Sequence, residues 1–178
     1  MITLLLLLQL QILEPKVINH PLPVRKKEYR DTSRNYIVLH NDGGSGGYAI
    51  TRQTLMKRRL SYHYYIKRDG TIVKLLDPKY QALHVGYSWW NGLVRINRYS
   101  IGICLQDNDI HTYTDKQYNS TAWLITQLRR RYPDSTTKRI VGHSNVARPR
   151  GRKTDPENFN WDKLNLLLAL GGQHGNVR

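Results

Sequence analysis

The chain has 178 residues, 39% of them hydrophobic and 23% charged, a balance that suits one globular domain with a real core and excludes a disordered chain. Its 28 basic residues against 13 acidic ones give a formal charge of +15, which favours polyanionic partners: nucleic acid, an anionic membrane surface or an acidic cell-wall polymer. A single cysteine, Cys104, excludes an intramolecular disulfide.

Residues 1–13 are almost wholly apolar and fit three readings: the core of a secretory signal, an apolar arm packed on the domain, or extra start residues. No basic residue precedes the run and no small-x-small cleavage site follows it. It is also shorter than the roughly 20 residues that a membrane-spanning helix needs.

Pro15, Pro21 and Pro23, followed by Arg25, Lys26 and Lys27, argue for an extended surface lead-in over 14–35. Residues 36–39 read as a buried strand ending at His40, and 41–47, rich in glycine, as a loop. That loop lacks the Gly-Lys-Ser/Thr ending of a phosphate-binding loop, so nucleotide binding is a weak reading. A short helix with a basic outer face is expected over 51–60. Two β-prone runs, 62–66 and 71–76, flank Asp69-Gly70 and predict a tight hairpin, with Tyr62, Tyr64 and Ile66 on one face and His63 and Tyr65 on the other. Residues 77–99 are loop-like, and 100–105 return to strand.

Thr114 and Gln117 have the spacing of a capping box, in which a hydroxyl and an amide satisfy free backbone groups of the first helical turn. Tyr118, Ala122, Ile125, Leu128 and Tyr132 recur at helical spacing before Pro133. A last strand over 139–142 and a closing helix over 161–170, terminated by Gly171-Gly172, complete the pattern. Strands alternating with helices, plus one hairpin, imply an α/β single domain: a central mixed β-sheet flanked by α-helices. The domain is expected over 31–172, after an arm and lead-in over 1–30 and before a tail over 173–178.

His40 and His143 each follow a short apolar strand, and Asp155 offers an oxygen. Two histidines and one carboxylate make a three-ligand zinc set that leaves a fourth position open, as catalytic zinc sites do. From spacing alone each of these residues also has a plain alternative, a surface or satisfied core side chain.

Six blocks lie in an order that resembles a known family: Ile37-Val-Leu-His40, Ser61-Tyr-His-Tyr-Tyr-Ile-Lys-Arg-Asp-Gly70, His84-Val-Gly86, Asn97-Arg-Tyr-Ser-Ile-Gly-Ile103, Val141-Gly-His143 and Lys153-Thr-Asp-Pro156. The chain resembles the zinc N-acetylmuramoyl-L-alanine amidases of the amidase-2 family, which includes phage lysozyme-like endolysins, AmpD amidases and peptidoglycan recognition proteins. The resemblance implies one zinc ion held by His40, His143 and Asp155, with Tyr62 beside the metal water and Lys153 stabilising the oxyanion. It places His84 at the mouth of the cleft. Many members carry a glutamate base where this chain has Cys104, which leaves the proton carrier open. At its ordinary pKa near 10 a tyrosine is a poor base, so Tyr62 is expected to orient water. Trp89, Trp90 and Asn91 are candidate substrate contacts, the two indoles either stacking on sugar or covering a core edge.

The implied reaction is hydrolysis of the amide between N-acetylmuramic acid and L-alanine in peptidoglycan or a muropeptide. A monomeric phage-type endolysin, made in the host cytoplasm and acting at the wall, is the expected setting; export through the apolar N-terminus is the alternative. The charge is then assigned to anionic cell-wall polymers, with no sequence-specific nucleic-acid binding, since no such motif is present. A non-catalytic peptidoglycan-binding module is the rival reading. The complete ligand set together with Tyr62 and Lys153 argues for catalysis.

Overall fold

The computed structural model describes residues 14–24, 27–33, 36–44, 46–108, 110–133 and 139–172. The readings of 1–13, of Arg25 and Lys26, and of the tail 173–178 lie outside the described residues.

Among the described residues eight strands form: β1 (Val17–Asn19), β2 (Tyr36–Asn41), β3 (Tyr64–Ile66), β4 (Ile72–Lys74), β5 (Trp89–Trp90), β6 (Leu93–Val94), β7 (Ser100–Leu105) and β8 (Ile140–Gly142). The helices are α1 (Gly47–Arg58), α2 (Asp115–Arg131), α3 (His143–Val146) and α4 (Trp161–Gly172). Six strands make one mixed sheet in the order β1-β4-β3-β7-β2-β8, with β5 and β6 pairing separately. Within the large sheet only β3 and β4 run antiparallel, across the expected Asp69-Gly70 turn. Among the described residues no helix is long and apolar enough to cross a membrane.

Parallel strands covered on both faces are apolar on both, and β2 and β7 are buried almost throughout. Alternation still sorts their side chains. Ile37, Leu39, Ile101, Ile103, Leu105, Tyr64, Ile66 and Ile72 face one way and pack against α2 and α4 in a single large cluster. Each such Ile or Leu, fully buried, contributes about 1.5–3 kcal/mol relative to exposure. The opposite face is covered in two separate pieces. Tyr65, Val73 and Cys104 pack with Leu55 of α1 and with Leu22. Val38 and Val141 pack with Val85, Ile96 and Val146. His40, two residues after Val38 in β2, shares this second face and meets Tyr62, which packs on the first piece.

The capping box forms as read: Thr114 accepts from the Gln117 N–H and the Gln117 side chain accepts from the Thr114 N–H, opening α2. Four readings change. The lead-in is not wholly outside the sheet, because Val17–Asn19 pairs in parallel with β4 and forms its edge. The first helix begins at Gly47, four residues earlier than expected, at a glycine N-cap in the left-handed region. Within the expected loop over 77–99, β5 and β6 form a hairpin whose tip, Asn91-Gly92, has the two positive φ angles of a tight turn, 46° and 79°. Tyr62 precedes β3 and packs with the Tyr65 and Cys104 cluster rather than sharing the face of Tyr64 and Ile66.

Candidate metal centre

His40 is the fifth residue of β2 and completely buried; it sits inside the strand rather than at its exit. His143 is the first residue of α3, directly after β8, the strand that pairs with β2 on its other side. Asp155 is brought alongside by its own chain, since its carbonyl accepts from the Ser144 N–H at 3.0 Å. The Asp155 carboxylate then lies 3.1 Å from His40 Nδ1 and 3.0 Å from His143 Nδ1.

The outer hydrogen bonds fix which nitrogen carries the proton. Ser100 Oγ donates to the Ile96 carbonyl at 2.6 Å, so it accepts from His84 Nε2 at 3.2 Å. His84 Nδ1 is therefore an acceptor and takes the Nε2–H of His40 at 2.8 Å. His143 Nε2 donates to the Val85 carbonyl at 3.1 Å. Burial lowers the His40 pKa to about 4 against the raising effect of the Asp155 carboxylate, so the ring is neutral at pH 7. His40 Nδ1 thus presents a bare lone pair to the carboxylate, and His143 Nδ1 faces the same carboxylate from the other side. Burial works to raise the Asp155 carboxyl, but the two imidazoles facing it hold it below the usual carboxylate range.

Three lone-pair donors converge, with ligand atoms all within 4.8 Å of one another. Such a cluster calls for a cation. Nitrogen and oxygen donors at about 2.0–2.2 Å from a tetrahedral zinc stand about 3.3 Å apart, so the set fits zinc in spacing and in chemistry. Each histidine also has the outer partner that orients a ligating imidazole.

His84, expected at the mouth of the cleft, is instead buried behind His40. Its ring lies against β7 at Gly102, where a Cβ would come within 2.7 Å of it. The glycine of the Ile-Gly-Ile block is the signal in the sequence for this close approach. Its N–H donates to His63 Nδ1 at 2.9 Å and its carbonyl accepts from the His63 N–H at 3.0 Å.

Tyr62 stacks obliquely on His40 with ring centroids 5.0 Å apart. Burial, and then the neighbouring Cys104 and Asp155, push its phenol well above the ordinary value, so it stays protonated. Burial likewise raises the Cys104 thiol. Neither group is a base at neutral pH. Lys153 is exposed and makes no hydrogen bond or ion pair among the described residues, while its charge acts on His40.

Trp89 and Trp90 divide their roles. Trp89 is 44% exposed, with the Arg148 guanidinium 5.1 Å above its ring. Trp90 is half-buried and covers the edge of the cluster around Val38. Asn91 stands exposed at the hairpin tip. Arg152 is a structural clamp that the sequence pattern did not reveal: it donates to the carbonyls of Val85 (2.8 Å), Tyr87 (2.9 Å) and Arg148 (2.8 Å).

The N-acetylmuramoyl-L-alanine amidase family, amidase-2, matches residues 30–158. This chain belongs to that family. Its relatives include the 1,6-anhydro-N-acetylmuramyl-L-alanine amidase AmpD of Citrobacter freundii, 40% identical over 112 residues, which cover 62% of this chain and 58% of the relative. The AmpD of Escherichia coli K12 is 39% identical over 112 residues, covering 62% of this chain and 60% of that protein. The chain thus spans 58–60% of the length of these two relatives. A crystal structure of an AmpD derivative superposes with a TM-score of 0.74 at 31% identity, covering 88% of this amidase-2 chain and 97% of the other. Pseudomonas aeruginosa AmpDh3, solved in complex with anhydromuramic pentapeptide, gives 0.67 at 28% identity over 78% of this chain and 61% of its own. A Clostridium intestinale amidase, LysC, shares the fold at 22% identity, with a TM-score of 0.68 over 88% of this chain and 99% of its own. The mixed sheet with flanking helices expected from the sequence is the fold of these amidase-2 structures.

Proposed function

We propose that this chain is a zinc-dependent amidase that hydrolyses the bond between the lactyl group of N-acetylmuramic acid and L-alanine, acting on muropeptides. The observation that carries the reading is the convergence of two imidazole Nδ1 atoms and the Asp155 carboxylate, each histidine held from behind at its Nε2. His40, His143 and Asp155 would hold the metal. Zinc, when bound, supplies a Lewis acid and brings the pKa of water down from 15.7 to about 7.

The chain's own groups do the rest. Tyr62, neutral and braced on His40, orients the attacking water through its hydroxyl. The Lys153 ammonium, with no internal partner among the described residues, is free to meet the negative charge that grows on the carbonyl oxygen. Removal of one such stabiliser costs on the order of 100-fold in rate. Trp89 offers an exposed indole face to a sugar ring, with Arg148 stacked on it.

The names of the AmpD relatives and the anhydromuramic pentapeptide bound to AmpDh3 support a soluble anhydromuropeptide as substrate. The formal charge of +15 supports a second setting, contact with the anionic intact wall, as an endolysin requires.

The test is mass analysis of products from purified anhydromuropeptide and from intact peptidoglycan, each incubated with zinc-loaded and with chelated protein. Release of free L-alanine amino ends only with metal, abolished by His40→Ala and by Asp155→Ala, is expected. Release that survives either substitution overturns the zinc mechanism. Faster cleavage of the soluble fragment than of the wall is the outcome expected of a fragment hydrolase, and the reverse order supports the endolysin.

A further inference from the structure

Behind the two metal histidines lies a side chain that touches neither. Asn97 sits in a short 3-10 turn (Ile96–Tyr99) and is half-buried. Its Oδ1 accepts two backbone hydrogen bonds, from the N–H of His84 and the N–H of Val85, both at 3.0 Å. Those two residues are the outer partners of the two ligands: the His84 ring takes the Nε2–H of His40, and the Val85 carbonyl takes the Nε2–H of His143.

One oxygen therefore fixes the peptide from which both outer contacts hang. We infer that Asn97 is a positioning residue for the metal centre, setting the orientation of His40 and His143 together through the 84–85 backbone. The same turn reinforces the contact, since the Ile96 carbonyl receives the Ser100 hydroxyl that in turn accepts from His84. Arg152 holds the Val85 carbonyl from the other side at 2.8 Å. Loss of the Asn97 acceptor leaves two N–H groups without their partner and releases both outer contacts at once. Loss of Ser100 Oγ acts on the His40 side alone.

The inference rests on His40, His143 and Asp155 being the metal ligands. The test uses the full chain with zinc, and with cobalt as a spectroscopic substitute. Metal affinity is read by competition with a chelator, and the fold by circular dichroism of the metal-free protein. Asn97→Ala is expected to weaken metal binding about 10- to 100-fold, the usual effect of losing an outer partner, and to change the cobalt visible spectrum. Asn97→Asp, which keeps the acceptor oxygen, is expected to bind within about threefold of the parent protein. Ser100→Ala is expected to fall between them.

Parent-like affinity and spectrum in folded Asn97→Ala overturns the positioning role. So does a loss in Asn97→Asp equal to that in the alanine variant. If Asn97→Ala does not fold, Asn97→Ser is read in its place, and failure of both to fold overturns the inference in favour of a purely structural residue. Absence of metal binding in the parent protein instead overturns the assignment of the ligands.

Discussion

The imidazole of His84 lies directly against the backbone of Gly102, so close that a Cβ on the glycine would stand 2.7 Å from the ring. Gly102 is not among the residues with positive φ, so contact distance alone excludes a side chain there. Gly102→Ala must push His84 away from β7 and out of line with His40 Nε2. Overpacking of this kind costs about 1–3 kcal/mol. Urea denaturation should show that loss, and metal titration of the folded variant should show weaker binding than in the parent protein.

Lys153 and Tyr62 should separate in their effects. Lys153→Ala is expected to lower kcat/KM by on the order of 100-fold while chelator competition finds metal affinity unchanged. Tyr62→Phe is expected to lower kcat by a smaller factor, and to leave the acidic limb of the pH–rate profile where it was. The phenol lies well above its ordinary pKa, so it changes no charge in that range. Movement of the acidic limb in Tyr62→Phe would show that the hydroxyl carries a proton in the rate-limiting step.

His63 gives the fold a dependence on acid. Its buried ring accepts from the Gly102 N–H and donates to the Tyr80 carbonyl, and desolvation lowers its pKa from 6.5 to about 4. Above pH 6.5 the ring is neutral in both folded and unfolded chains, and its contribution to stability is fully present. As pH falls below 6.5 the unfolded chain takes up a proton that the folded one refuses, and stability drops until about pH 4. The loss from this one group is at most about 3 kcal/mol. His63→Gln should flatten the pH dependence of the unfolding free energy between pH 4 and 6.5 by up to one proton. The lowered His40 and His84 contribute in the same direction to both proteins.

Elements with a strong local signal formed where the sequence put them. The Asp69-Gly70 hairpin, the 100–105 strand and the Thr114 capping box each depend on neighbours within a few residues. β1 depends on a partner 55 residues away, Val17 against Ile72, and three residues between prolines carry no pattern that announces it. The Asn91-Gly92 tip is an ordinary turn signal, but its strands are two residues long, too short for alternation to show. The three residues that converge, His40, His143 and Asp155, could be named from their blocks, whereas the direction of each imidazole could not. That direction is set by the Ile96 and Val85 carbonyls, main-chain atoms that no side-chain pattern records. The same limit hid Arg152, whose guanidinium works on carbonyls, and put His84 in the cleft rather than behind it.

The two faces of the sheet are built differently, and this separates two kinds of change. The face under α2 and α4 is one continuous apolar layer, so truncating an Ile or Leu there to Ala costs about 2–5 kcal/mol of stability. The other face is tiled by two independent patches, one under α1 and one under the 85–96 segment. Either tile can be resized or reshaped without reopening the helical layer, and His40, His143 and Asp155 meet where Tyr62 of one tile and Val85 of the other come together. A change in either tile would therefore reshape the surroundings of the candidate metal centre while leaving the helical layer in place.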